Sequence, residues 1–187
     1  MNCTHCKDHA CRTLGDCKTR QFDKDENLLN YHESSVQDIV QVAAHLVDNG
    51  RAGRLNRLEE IIEYSLDRGY KHLGIAYCYS MEKEVIVIAD LIRARGLSVS
   101  AVSCTTGGLA QDQMNEQCSI HKVGCNPLGQ AKQLNAEKVD LVAVVGLCLG
   151  HDILFQKQIQ VPCTTLVVKD RTCDHAPLVA IRKMVDH

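Results

Sequence analysis

The hydrophobic pattern divides the chain near residue 33. Before that point apolar residues follow neither a strand nor a helix period, and the segment includes the charged run Asp23-Lys24-Asp25-Glu26. Such a stretch cannot bury enough apolar surface to offset its chain entropy and needs something else to tie it down. From Ser34 the pattern becomes periodic. Val36, Ile39, Val40, Ala43 and Val47 recur at helical spacing up to Asn49-Gly50, with Ser34 and Gln37 placed as a capping box. A second stripe, Leu58, Ile61, Ile62, Ser65 and Leu66, starts behind Asn56 with Glu59 three residues on, and Gly69 closes it. These two helices are expected to form a hairpin against a sheet.

Strands and helices then alternate. Residues 71–78, 97–104, 140–145 and 164–168 read as strands. Residues 82–95, 127–136, 151–157 and 177–185 read as helices, the second opened by Asn126 at its cap and Pro127 at its first position. Helices between strands imply parallel pairing with right-handed crossovers. The pattern therefore predicts a three-layer α/β domain over residues 34–187, with a mainly parallel sheet of about four strands. Residues 1–33 precede it as a separate segment.

Composition changes this picture in one respect. Hydrophobic residues make up 45% of the 187, enough for a core, but Trp is absent and Phe and Tyr total seven, so aliphatic side chains must fill it. A net charge of −2 with interspersed signs points to no nucleic-acid or membrane-surface partner. No apolar run reaches the roughly 20 residues of a membrane span, and the first residues lack the apolar core of a signal peptide. The expected location is the cytoplasm.

The eleven cysteines are the anomaly. They fall short of the roughly 8–10% typical of a disulfide scaffold, their number is odd, and no export signal accompanies them. Metal binding or redox chemistry explains them better, with some left as small buried hydrophobes.

Two constellations follow. Cys3, Cys6, Cys11 and Cys17 form a C-x2-C-x4-C-x5-C series in the unpatterned segment. A structural zinc site is usually gripped by two CxxC hairpins. One CxxC followed by single cysteines suits a [4Fe–4S] cluster better, and metal binding would supply the missing stability. His5 and His9 are expected to be solvated.

The second constellation comes from topology. In a parallel sheet all strand C-termini share one edge, and ligands of open α/β sheets sit outside it. Cys78 and Cys104 end the first two strands and Cys148 follows the third. Cys118 and Cys125 lie in the loop after the second. Cys78, Cys104, Cys125 and Cys148, with His151 in support, are candidate ligands of a second metal or cluster. Cys125 stands just before a helix cap, where the helix dipole favours negative charge. Cys148, His151 and Asp152 also allow a nucleophile–base–orienter reading, so a thiol-dependent enzyme using Cys148 or Cys125 stays open. The turn Thr105-Thr106-Gly107-Gly108 offers backbone N–H groups to an anion, and Lys122, Lys132 and Lys169 are further cations. Cys163 opens the fourth strand at the opposite edge and reads as structural. No P-loop or dinucleotide fingerprint is present.

The cysteine series, Cys125–Ala131 as CNPLGQA, residues 145–152 as VGLCLGHD and residues 164–171 as TTLVVKDR resemble a cysteine-rich prokaryotic family. It is known as a domain of unknown function, described as a candidate metal-binding family and common in anaerobes. The resemblance spans nearly the whole chain. It implies a metal site with Cys3, Cys6, Cys11, Cys17, Cys78, Cys104, Cys125 and Cys148 as candidate ligands, and it implies no reaction. Cys163 and Cys173 depart from its pattern. The first segment alone also resembles, in part, the cubane-binding modules of corrinoid and electron-transfer proteins.

The expectation is an iron–sulfur protein with one [4Fe–4S] cluster, or two, in a redox or cluster-based catalytic role served by a redox partner protein. A structural zinc protein that acts in interactions and the thiol-dependent enzyme are the alternatives. No substrate or oligomeric state follows from the motifs.

Overall fold

Helices between successive strands force parallel pairing, and the sheet follows that rule. The computed structural model describes residues 3–17 and 20–185. Two compact units are formed, Met1–Gln41 and Val42–His187, a division that falls within a helix and later than the change in hydrophobic pattern.

The first unit contains 3-10 turns at Cys3–His5 and Ala10–Thr13, helix α1 (Lys24–Tyr31) and the start of α2 (Ser34–Val47). No described residue of this unit is buried. Helix α1 has no apolar stripe to announce it. Asp23 caps it instead, its carboxylate accepting from the N–H groups of Asp25 and Glu26 at 2.9 Å each. The charged run is thus a helix start, and the bond from Glu26 leads the effects that lower the Asp23 pKa. Gln37 does not close a capping box on Ser34. Its side-chain amide donates to the Tyr31 carbonyl at 2.6 Å.

The second unit holds α3 (Arg57–Asp67), β1 (His72–Tyr77), α4 (Glu82–Ala94), β2 (Ser98–Ser103), α5 (Gln111–Met114), α6 (Pro127–Ala136), β3 (Leu141–Val145), α7 (Leu149–Gln158), β4 (Cys163–Val167) and α8 (Pro177–Val185). The order is β2-β1-β3-β4 and every strand pair is parallel. Right-handed crossovers place α4 on one face and α6 and α7 together on the other, giving three layers. The expected helix caps at Asn56 and Asn126 are both present, the first as a full capping box with Glu59. Helix α3 buries Ile61, Ile62 and Ser65, whereas no residue of α2 is buried. Only one helix of the expected hairpin therefore contributes to the core.

Strand β3 is buried along its whole length, as a central strand covered on both faces must be. Between Val144 and Val145 its register with β4 shifts by one residue, a bulge at the end of the strand pair. Gly146 then leaves β3 with φ +63°. A Cβ there would stand 2.9 Å from Met81 Cγ, so Gly146→Ala combines a left-handed backbone penalty with a core clash. It should cost about 2–3 kcal/mol, read as a lower urea midpoint.

Candidate functional site

Strand order decides where the candidate site lies. The connections from β1 run outward to β2 and then back across to β3, so the sheet reverses direction between β1 and β3. The crevice of a doubly wound sheet opens outside the strand ends at such a point. Cys78 directly follows β1, and its N–H donates to Val145 O, the last residue of β3, at 3.1 Å. Cys104 directly follows β2, its N–H bonded to Tyr77 O at 2.8 Å. Cys148 is the cap residue of α7, which begins two residues earlier than its pattern suggests. Topology thus delivers three thiols to one edge, as the strand assignments required.

The loop after β2 supplies the fourth. The Asn126 N–H donates to Cys104 O at 2.7 Å and its side chain caps Gly129 N at 2.9 Å. These bonds lay Cys125 beside Cys104, and the two sulfurs are 3.6 Å apart, one thiol bonded to the other. Cys104 is 1% exposed while Cys125 is only half-buried. Burial is the main cause that pushes the Cys104 thiol up to about 12, with Cys125 and Cys78 adding to the rise and the Tyr79 N–H at 3.4 Å opposing it.

Cys78 is held differently. Burial is the largest single influence on it and works against ionisation. The Ser80 hydroxyl at 3.3 Å, the Ser80 N–H and the Lys169 ammonium together outweigh it and hold this thiol below its ordinary value. Lys169 Nζ donates to Ser80 Oγ at 2.9 Å. Arg171, two residues on, donates to Cys148 Sγ at 3.1 Å. Its loop is tied by Asp170, whose carboxylate accepts from Thr172 N and Oγ1 and from Cys173 N. Both cations come from the end of the bulged strand, and neither was marked as a thiol partner by sequence spacing.

Because the folded Cys78 pKa is depressed, it contributes stability above its unfolded value that is lost as pH falls. Lys169→Met should therefore weaken the fold most above about pH 8.5 and progressively less below it. Urea titrations across that range, with thiolate ultraviolet absorbance alongside, would check this.

These groups line a cleft of about 850 Å³ that includes Cys78, Ser80, Cys125, Cys148, His151 and Arg171. A hollow of about 610 Å³ shares Cys125, Gln111 and His151 with it and is walled by Leu109, Met114 and Leu154. Cys118 lines the hollow and not the cleft. His151 borders both without bonding a sulfur among the described residues, and Asp152 accepts instead from Gln156 at 2.8 Å. The Cys148-His151-Asp152 order is therefore not assembled as a triad. In the glycine turn, the Thr106 and Gly108 N–H groups bond Ser103 O and Thr105 O, so they are spent within the turn. Cys163 lies at the start of β4, away from this edge, with its pKa raised chiefly by burial.

The first unit carries its own cysteine group. The Cys6 N–H donates to Cys3 O at 3.3 Å and the Gly15 N–H to Ala10 O at 2.9 Å. His9 (φ 50°) and Leu14 (φ 63°) flank the second turn in left-handed conformations. This coiling places Cys6, Cys11 and Cys17 around one hollow of about 290 Å³, while Cys3 lies outside its lining. None of the eleven cysteines is disulfide-bonded. Among the described residues no three His, Cys, Asp or Glu side chains converge closely enough to hold a single metal ion. Thiols are the donors a cubane takes, and a cubane is larger than one ion.

Fold and thiols together define a protein with a cysteine-edged α/β unit that follows a cysteine-rich segment in the chain. The chain belongs to the family described as protein of unknown function (DUF1847), which matches residues 16–166. It is 36% identical over 192 aligned positions to an uncharacterized protein of Methanocaldococcus jannaschii, covering 97% of this chain and 93% of that one. No solved structure matches the chain. The motif resemblance to a domain of unknown function therefore holds. No helix among the described residues is long and apolar enough to cross a membrane.

Proposed function

We propose that the protein is an iron–sulfur protein whose [4Fe–4S] cluster is held by Cys3, Cys6, Cys11 and Cys17, with the cysteine edge of the sheet as its reacting site. The observation that carries this is the first hollow. Three thiols stand around it in a unit with no buried described residue, and the turn that carries Cys11 is flanked by two non-glycine residues in left-handed conformations. Such conformations each cost of order 1 kcal/mol and persist only where something else fixes them. Apolar burial does not, and a bound group would. Thiols spaced around a hollow suit a cubane better than a tetrahedral zinc ion, which draws sulfurs to about 2.3 Å from one point. When bound, such a cluster supplies one-electron redox chemistry, or an open iron if only three thiolates hold it.

The edge thiols support a reacting site more than a second cluster. Cys104 is paired with Cys125, Cys148 with Arg171, and Cys78 with Ser80, so each has a partner suited to a thiol or thiolate. A small substrate in the cleft would meet an ionisable sulfur beside Lys169 and another beside Arg171. The redox reading also calls for a partner protein to exchange electrons, and a cytoplasmic setting would keep the thiols reduced.

Iron, sulfide and zinc analysis of protein purified without oxygen tests the reading. About four irons and as many sulfides per chain are expected. A colourless protein holding zinc alone would overturn it in favour of a structural zinc segment. Roughly double the iron would place a second cluster at the edge.

A further inference from the structure

The pairing of Cys104 with Cys125 carries an activity of its own. The two sulfurs come from separate loops and lie 3.6 Å apart. Their backbones run side by side, joined by the Asn126 N–H to Cys104 O bond at 2.7 Å. A disulfide needs the sulfurs to close to about 2.05 Å, with the two Cα atoms within about 7 Å. From 3.6 Å the sulfurs have about 1.5 Å to close to reach that length. The two thiols are also unequal, as a working dithiol requires. Cys125 borders both the cleft and the adjoining hollow, one residue ahead of the α6 cap, whereas Cys104 is sealed beneath it.

We propose that Cys104 and Cys125 are a redox dithiol that reduces low-molecular-weight anionic disulfides. The Cys125 thiolate attacks one sulfur of the substrate, the substrate S–S bond breaks, and one half leaves as a thiolate while the other stays joined to Cys125. Cys104 then attacks the Cys125 sulfur, giving its proton to the departing second thiolate as the mixed disulfide breaks. The substrate gains two electrons and ends as two thiols, with the protons of the pair. Cys104 and Cys125 lose those two electrons and end joined.

Attack begins from Cys125 because its sulfur borders the cleft, whereas Cys104 is 1% exposed and outside its lining. The cleft sets the substrate's charge. Lys122 and Arg171 line it and Lys169 is bonded to Ser80 in its wall, against one lining carboxylate, Glu82. With Cys78 ionised and Cys125 still a thiol, these three cations face two anionic groups, which favours the approach of a carboxylate- or phosphate-bearing disulfide.

This inference builds on the edge as a reacting site and not on the cluster. The full chain, purified and kept without oxygen, would be exposed to oxidised glutathione, quenched with an alkylating reagent, digested with trypsin and mapped by tandem mass spectrometry. Iron content is read on the same sample, so failure of the cluster and failure of the dithiol are separate results. Trypsin leaves Cys125 in peptide 123–132 and Cys104 with Cys118 in peptide 96–122. The expected main product joins these peptides through Cys104. Cys104→Ser should trap glutathione on Cys125, and Cys125→Ser, at a half-buried position, should abolish both products. Oxidised glutathione should react at least about tenfold faster than the cationic disulfide cystamine at low salt. Recovery of Cys104 and Cys125 as alkylated thiols after the other cysteines have oxidised would overturn the dithiol, as would a link through Cys118. Equal rates with the two reagents would overturn the anionic substrate class.

Discussion

On the iron–sulfur proposal, Cys11→Ser should leave the protein without most of its iron, and so should Cys6→Ser or Cys17→Ser. The three thiols line one hollow, and the unit around them has no buried described residue to hold its shape. In small metal-dependent segments the binding free energy is folding free energy, on the order of 10 kcal/mol for a structural ion. On that proposal, losing one thiolate would remove both a bond to the cluster and the order of the coil that presents the others. The second unit has its own continuous core, so its urea transition should be nearly unchanged in these variants. The measurements are iron per chain, visible absorbance, and protease sensitivity of residues 1–41 against the rest. Full iron retention in all three variants would overturn the assignment, because no shared ligand role would remain for them.

The sheet and its cysteine edge were legible because periodicity and topology are enough to place strand ends. Once 71–78 and 97–104 read as parallel strands, Cys78 and Cys104 had to meet at one edge, whatever their separation in sequence. The cap at Asn126 was equally readable, and it is the cap that brings Cys125 to Cys104. Helix α1 was not, because its start rests on Asp23 accepting two N–H groups and not on an apolar stripe. The stripe of α2 was overread in the opposite sense: its spacing is helical, yet none of it is buried.

Lys169 was legible as a cation, but the partners of Lys169 and Arg171 were not, for a different reason. Lys169 and Arg171 reach Ser80 and Cys148 from the end of β4, where a one-residue bulge sets the chain's direction. A bulge shifts register without altering composition, so alternation along the strand does not reveal it. His151 drew attention through its neighbours in sequence, while the guanidinium from a distant loop took the sulfur. Local order suggested a triad, and the tertiary structure supplied a hydrogen bond from Arg171 to Cys148 in its place.

Gln130 is the residue whose importance the sequence conceals most, and Gln130→Glu should be the most damaging single change in the second unit. It lies mid-helix in α6 with no exposure, where a polar residue at that spacing reads as surface. Its Nε2 donates to Tyr77 O at 3.1 Å and to Val102 O at 2.8 Å, tying the ends of β1 and β2 together. An ionised glutamate is nearly isosteric but has no proton to donate, so its charge would face two carbonyl oxygens out of reach of water. Buried glutamates reach pKa values of about 8–9, against about 4.3 unfolded. A carboxyl raised in this way destabilises the fold as pH climbs from the unfolded towards the folded value, and the deficit disappears below the unfolded one. The expected loss is about 3–4 kcal/mol near pH 7, shrinking to about 1 kcal/mol near pH 5. Urea midpoints at the two pH values would show it, and equal deficits at both would sink the explanation. The same clamp holds α6, and so Cys125, over the strand ends that carry Cys78 and Cys104. The variant should therefore also form less of the Cys104–Cys125 link near pH 7 than near pH 5, relative to the unaltered protein under each condition.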